Sequence, residues 1–166
     1  VELIPADFYS KSSLKKITVD EENKVYSSDD KGVLYNKDKS ELIKYPQSAT
    51  ALSFTAPEST ATIKKSAFDN NINITTVVLS NVATIEDSAF YNCSKLSEIN
   101  LGRHVTYIGA DAFKSTTSLS KVTISDNIEF IGNNALLNAT FSELVIPATV
   151  ELIPADFYSK SSLKKI

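Results

Sequence analysis

The chain has 166 residues, 42% hydrophobic and 22% charged, a balance that supports a packed core and excludes a disordered chain. Lys and Arg number 17 against 20 Asp and Glu, for a net charge of −3, which argues against the basic surface of a nucleic-acid binder. With four Gly and five Pro the chain is neither collagen nor a Pro-rich linker, and no stretch approaches the ~20 apolar residues of a membrane span or has the order of a signal peptide.

The first element is also the last. Residues 1–17 (VELIPADFYSKSSLKKI) return letter for letter as residues 150–166, so 166 − 17 leaves 149 unique residues. A terminus that restates the start points to a repeat, and Met is absent altogether. The expectation is a piece of a longer array, one 149-residue block plus the first coil of the next.

Residues 20–50 form an irregular segment, longer than one coil and rich in turn formers. Within it GVLYNKDKSELIKYP (32–46) predicts a β-hairpin: Val33 to Asn36, a four-residue turn Lys37 to Ser40, then Glu41 to Tyr45, stopped by Pro46. Alternation puts Val33, Tyr35 and Leu42 on one face and Leu34, Ile43 and Tyr45 on the other. One face is expected to pack on the rest of the chain and the other to be exposed.

From residue 60 onward a period of 22 or 23 residues is plain. The phrase V-x-x-I-x-x-x-A-F appears as Thr60, Ile63, Ala67, Phe68; as Val82, Ile85, Ala89, Phe90; as Val105, Ile108, Ala112, Phe113; and as Ile128, Ile131, Ala135, Leu136. Shortened copies stand at Val1, Ile4, Phe8 and at Val150, Ile153, Phe157. A second phrase, L-x-x-I-x-I, follows: Leu14-Ile17-Val19, Ile74-Val77-Leu79, Leu96-Ile99-Leu101, Leu119-Val122-Ile124 and Phe141-Leu144-Ile146, with Leu163 and Ile166 opening the last. Its alternating end predicts a short strand buried on one face. L-x-x-I also fits helical spacing, but the crowding of Val, Ile and Thr favours strands. Strands this short need neighbours, and stacking at ~4.8 Å buries their apolar rungs as a ladder. Periods of this length mark solenoids.

The copies NVATIEDSAFYNCSKLSEINL (81–101) and HVTYIGADAFKSTTSLSKVTI (104–124) resemble the leucine-rich repeats of the BspA-like, or Treponema pallidum, class. The resemblance covers nearly the whole chain. Gly109 and Gly132 keep that class's glycine after the Ile, whereas Lys64, Glu86, Pro5 and Pro154 replace it. It implies a single leucine-rich repeat solenoid over 1–166, a right-handed superhelix of about seven coils, mainly short β-strands with little helix, carrying the inserted hairpin. It also implies an inward-facing column for Cys93, and with Phe68, Phe90, Phe113, Leu96 and Leu119 this residue is assigned to the structural core.

No catalytic set and no metal site can be assembled. His104 and Cys93 are single residues of their kind, so neither a Cys–His pair nor usual zinc spacing is supported. His104 reads as a solvated turn residue and Cys93 as a buried structural thiol. The acidic pairs Glu21–Glu22 and Asp29–Asp30 lack the alternating oxygen ligands of a calcium loop, and no glycine loop for phosphate appears. No cofactor is expected.

Stacking the copies puts Thr76, Glu98, Lys121, Glu143 and Lys165 in one outward column, where opposite charges on adjacent strands set register for about 0.2–1 kcal/mol a pair. The next column holds Thr18, Val78, Asn100, Thr123 and Val145. The candidate binding surface is therefore Glu98, Asn100, Lys121, Thr123 and Glu143 with the hairpin residues Tyr35 and Tyr45. Three N-x-S/T sequons, at Asn73, Asn92 and Asn138, are candidate glycosylation sites.

The resemblance implies a non-enzymatic extracellular or cell-surface protein that mediates adhesion or protein binding, with a protein or glycan of a host or neighbouring cell as partner. Nucleic acid and direct membrane insertion are not expected. The duplicated 17-mer supports an alternative, a stalk, filament or surface-layer unit of tandem 149-residue blocks that self-associates end to end. An accessory module of an enzyme lying outside these residues is a further reading.

Overall fold

The V-x-x-I phrase closes a two-residue strand in each coil, and the L-x-x-I-x-I phrase makes the three-residue strand that follows it. The computed structural model describes residues 13–123, 125–140, 148 and 150. The copies at 1–12 and 151–166, and the phrase Phe141-Leu144-Ile146 with Glu143 and Val145, lie outside the described residues. Four coils run from β4 (Ser53–Thr55) and β5 (Thr62–Ile63) through β6 (Thr76–Val78) and β7 (Thr84–Ile85), β8 (Glu98–Asn100) and β9 (Tyr107–Ile108), to β10 (Lys121–Thr123) and β11 (Phe130–Ile131). Of these strands, β4, β6, β8 and β10 form one parallel sheet, in the order β10-β8-β6-β4. The odd-numbered ones stack parallel in the other. The molecule is a β-solenoid with no helix among the described residues.

The segment between the two sheets explains the A-F pair. In residues 64–71, the Ala67 N–H bonds the Lys64 carbonyl at 3.0 Å and the Asn71 N–H bonds the Phe68 carbonyl at 3.1 Å. Ser66 (φ 56°) and Asn70 (φ 56°) occupy the third positions of these turns, the left-handed conformation that type II turns require. Each coil repeats the device. Ser88, Asp111 and Asn134 continue the first column and Asn92, Ser115 and Asn138 the second, all with φ between 55° and 64°. Asn is among the L-residues best suited to this region, and short polar side chains bond locally there.

Between these turns the rings enter the core. Phe68 stacks on Phe90 (centroids 4.7 Å) and Phe90 on Phe113 (5.1 Å, 6° between planes). Their backbones are joined in step, with N–H to carbonyl bonds of 2.7 Å from Phe68 to Ala89, Phe90 to Ala112 and Phe113 to Ala135. Leu96, Leu119 and Cys93 are fully buried beside them.

The predicted hairpin forms as β2 (Leu34–Asn36) and β3 (Glu41–Lys44). A third strand, β1 (Tyr26–Ser28), was not anticipated and pairs antiparallel with β2. β3 then pairs parallel with β5, so the hairpin continues the longer sheet, ordered β1-β2-β3-β5-β7-β9-β11. This corrects the expectation of an exposed hairpin face, since Val33, Leu34, Tyr35, Leu42 and Tyr45 are all buried. Tyr45 precedes Phe68 by 23 residues and occupies the ring position of its own coil, stacked on Phe68 at 4.8 Å.

The expected strand at Leu14-Ile17-Val19 is not formed. The insertion intervenes before the following coil, and single bonds tie the segment instead: Ile17 N–H to the Gly32 carbonyl (3.0 Å) and Ser48 N–H to the Leu14 carbonyl (2.9 Å). Gly32, at φ 80°, is necessary here because a Cβ would stand 2.8 Å from the Lys16 Cα.

Candidate functional site

Alternation in β4, β6 and β8 of the shorter sheet leaves one outward residue before and one after each buried rung. Thr76 lies beside Glu98 and Glu98 beside Lys121, in direct register. Val78, Asn100 and Thr123 align likewise. Asn100 is exposed, but its Oδ1 accepts the Gly102 N–H at 2.8 Å and so shapes the turn that leaves the strand.

Two assigned surface residues are placed elsewhere. Tyr35 is fully buried, and its hydroxyl donates to Asp29 Oδ2 at 3.1 Å. Burial, reinforced by the Asp29 carboxylate, pushes its ionisation well above the ordinary tyrosine range. Tyr45 is buried in the ring column, and its hydroxyl has no hydrogen-bond partner. Both are core residues because β2 and β3 belong to the sheet and are not an appendage.

The three sequon asparagines are half-buried. Each Nδ2, the atom that would carry a glycan, donates to the preceding coil: Asn73 to the Ala49 carbonyl (3.0 Å), Asn92 to Asn70 Oδ1 (2.9 Å) and Asn138 to Ser115 Oγ (3.5 Å). Cys93 is buried with its Sγ 3.0 Å from the Phe68 carbonyl, and desolvation pushes its thiol far above the ordinary value. His104 is an exposed turn residue. Among the described residues no three His, Cys, Asp or Glu side chains converge.

The longer sheet carries a surface that the sequence reading did not single out. The outward residues before its buried rung, Leu42 in β3 and Ile in the other strands, are Glu41, Thr62, Thr84, Tyr107 and Phe130, all in register. Tyr107 (37% exposed) and Phe130 (38%) stack with centroids 4.8 Å apart and planes 11° from parallel. The signal was present, as two aromatics 23 residues apart at a position where the two preceding copies hold Thr62 and Thr84.

Those same two coils have glycine on the other side of the buried Ile. At Gly109 a Cβ would stand 2.5 Å from Asp87 Oδ1 and 2.6 Å from the Asp87 N, so the chain there lies against the preceding coil. In the copies with a side chain at this position, Lys64 Nζ and Glu86 Oε1 pair at 2.6 Å. Glu86 Oε2 accepts the Lys65 N–H at 2.8 Å, and the bond to Glu86 raises the Lys64 ionisation. Asp87 Oδ1 accepts the Ala110 N–H at 2.9 Å. Lys65, Glu86, Asp87 and Tyr107 together line a concavity of about 150 Å³.

Coils of one period, joined strand to strand and bearing outward columns at strand spacing, define a leucine-rich repeat solenoid. The model of the BspA type leucine-rich repeat region matches residues 45–164 in six copies, and the chain belongs to that family. No curated protein matches it. Among solved structures, a leucine-rich cell surface protein of Faecalibacterium prausnitzii is 27% identical, with a TM-score of 0.79 over 96% of this chain and 42% of that one. A leucine-rich repeat protein of Eubacterium ventriosum (24% identity, TM-score 0.69, 92% of this chain and 54% of that one) shares the fold. So does the pneumococcal vaccine antigen PcpA (24%, 0.57, 92% and 50%). The chain spans about half the length of these three structures.

Proposed function

We propose that the chain is a non-enzymatic adhesion or binding module of an extracellular or cell-surface protein. The observation that carries this reading is the exposed stacked pair Tyr107–Phe130 on the open face of the longer sheet. Aromatic residues are enriched at recognition surfaces, and here the stack holds them rigid before contact. Family membership and the likeness to a cell surface protein support the location. The mechanism is contact of a protein or glycan with the outward columns, and repeated blocks multiply weak contacts through effective concentration. Flow cytometry of the fluorescently labelled chain on epithelial cells tests the reading. Saturable binding, competed by unlabelled chain, is expected; its absence on every surface tried overturns the proposal.

The identity of residues 1–17 with 150–166 favours a second reading, a structural element built from tandem blocks. Electron microscopy separates the two, with ordered fibres under the structural reading and separate molecules under adhesion.

A further inference from the structure

We propose that the concavity lined by Lys65, Glu86, Asp87 and Tyr107 is a subsite for one neutral hexopyranose ring of a glycan. The inference rests on the adhesion reading and names the ligand class and residues of one contact. One face of Tyr107 is covered by Phe130. The other turns toward the preceding coil, where its register partner Thr84 is small. An aromatic face carries partial negative charge, and the C–H bonds on one side of a pyranose ring present the opposite sign. The ring is already held by Phe130, so docking a sugar on it orders little that is not ordered beforehand.

The polar groups select for neutrality. Glu86 is committed, one oxygen to Lys64 Nζ and the other to the Lys65 N–H. Asp87 keeps Oδ2 as an open acceptor, since only Oδ1 holds the Ala110 N–H. The exposed Lys65 ammonium supplies donors and the Tyr107 hydroxyl either role. A ligand of hydroxyl groups satisfies all three. A cation at this point meets Lys65, and an anion meets Asp87 and Glu86. The size agrees, because about 150 Å³ is below the roughly 300–1,000 Å³ of drug-sized pockets. The site therefore takes no more than one ring, with the remainder of the glycan in solvent.

Saturation-transfer NMR on the full chain tests this with methyl β-galactopyranoside, methyl β-glucopyranoside and methyl α-mannopyranoside. N-acetylneuraminic acid and Nα-acetylarginine serve as charged probes. At least one neutral glycoside is expected to bind with a dissociation constant on the order of millimolar. Tyr107→Ala and Asp87→Asn are each expected to weaken it at least about tenfold while the thermal melt is retained. Asp87→Asn keeps an oxygen for the Ala110 N–H, so it reads the contact with little risk to folding. The proposal is overturned by no transfer from any neutral probe, by transfer that survives both variants, or by preference for a charged probe. Sugar binding without cell binding would sink the adhesion reading and leave the subsite standing. Cell binding untouched by both variants, with no sugar bound, would do the reverse.

Discussion

Lys44 and Asp69 form a buried ion pair across the joint between the hairpin and the next coil, with side chains only 4% and 13% exposed. Lys44 Nζ also donates to the Ser66 carbonyl at 2.7 Å, and Gln47 Nε2 reaches the Asp69 carbonyl at 3.1 Å. The charge is thus held from the side of the hairpin and received by a turn of the solenoid. Removing one partner strands the other, so Lys44→Ala or Asp69→Ala is expected to cost about 3–5 kcal/mol. The double variant Lys44→Met/Asp69→Leu is expected to recover most of that loss. Urea melts of the three variants measure it, and additive losses in the double variant would show that the pair is not coupled.

The ring column supplies a prediction of size. Phe90 and Phe113 are buried between stacked neighbours, and truncation of either to Ala is expected to cost about 3–5 kcal/mol through the cavity left behind. A neutral result in denaturant melts would mean that the rings do not enter the core.

The two buried tyrosines should respond oppositely to loss of the hydroxyl. Tyr35 bonds Asp29, so Tyr35→Phe is expected to destabilise by about 1 kcal/mol. The Tyr45 hydroxyl is buried without a partner, and Tyr45→Phe is expected to be neutral or stabilising by up to about 1 kcal/mol. Equal losses in paired melting curves would contradict the difference in environment.

Alkaline pH should destabilise the chain. Cys93, Tyr35 and Tyr45 have ionisations raised first of all by burial. The folded state therefore keeps protons that the unfolded chain releases. Their contribution is intact below the unfolded thiol value of about 8.5 and falls as pH rises past it, then more steeply beyond about 10, where tyrosine ionises. Each group weakens folding by about 1.4 kcal/mol per pH unit in its window. Circular dichroism melts from pH 7 to 11 should show this fall, and Cys93→Ala should remove its earliest part.

Backbone handedness can be probed at Ser88, whose φ is 56°. Ser88→Gly is expected to lie within about 1 kcal/mol of the parent, and Ser88→Val to lose about 2 kcal/mol or more, because a β-branched residue is a genuine outlier in this region. Equal melting temperatures for the two variants would argue against the left-handed turn.

Much of this fold was legible because one pattern was written several times. The inward positions from Thr60 to Leu136 follow directly from the period, since a column that recurs at strand spacing has to pack on itself. The hairpin was legible in its turn but not in its surroundings. Alternation assigns Tyr35 and Tyr45 to opposite faces without saying that both faces are covered. Tyr45 could have been caught by counting, because it stands one period before Phe68. β1 was missed because its three residues, Tyr26–Ser28, carry no alternation of their own. Tyr107 and Phe130 were not legible because each is the outward residue of a two-residue strand, too short to show alternation. Their coincidence with Gly109 and Gly132 pairs the two positions that flank the buried Ile, which inward periodicity does not test.

The two columns of left-handed turn residues also bear on how such a molecule is inherited. A copy of residues 82–104, one period, carries both strands, the ring, and the Ser88 and Asn92 that close the double turn. Duplication of that stretch of gene inserts a coil already fitted at both faces, and no compensating change elsewhere is needed. Insertion of half a period would instead put a β-branched or bulky residue where only short polar residues or glycine are comfortable. The turns thus act as a reading frame above the level of codons, and the solenoid grows by whole coils.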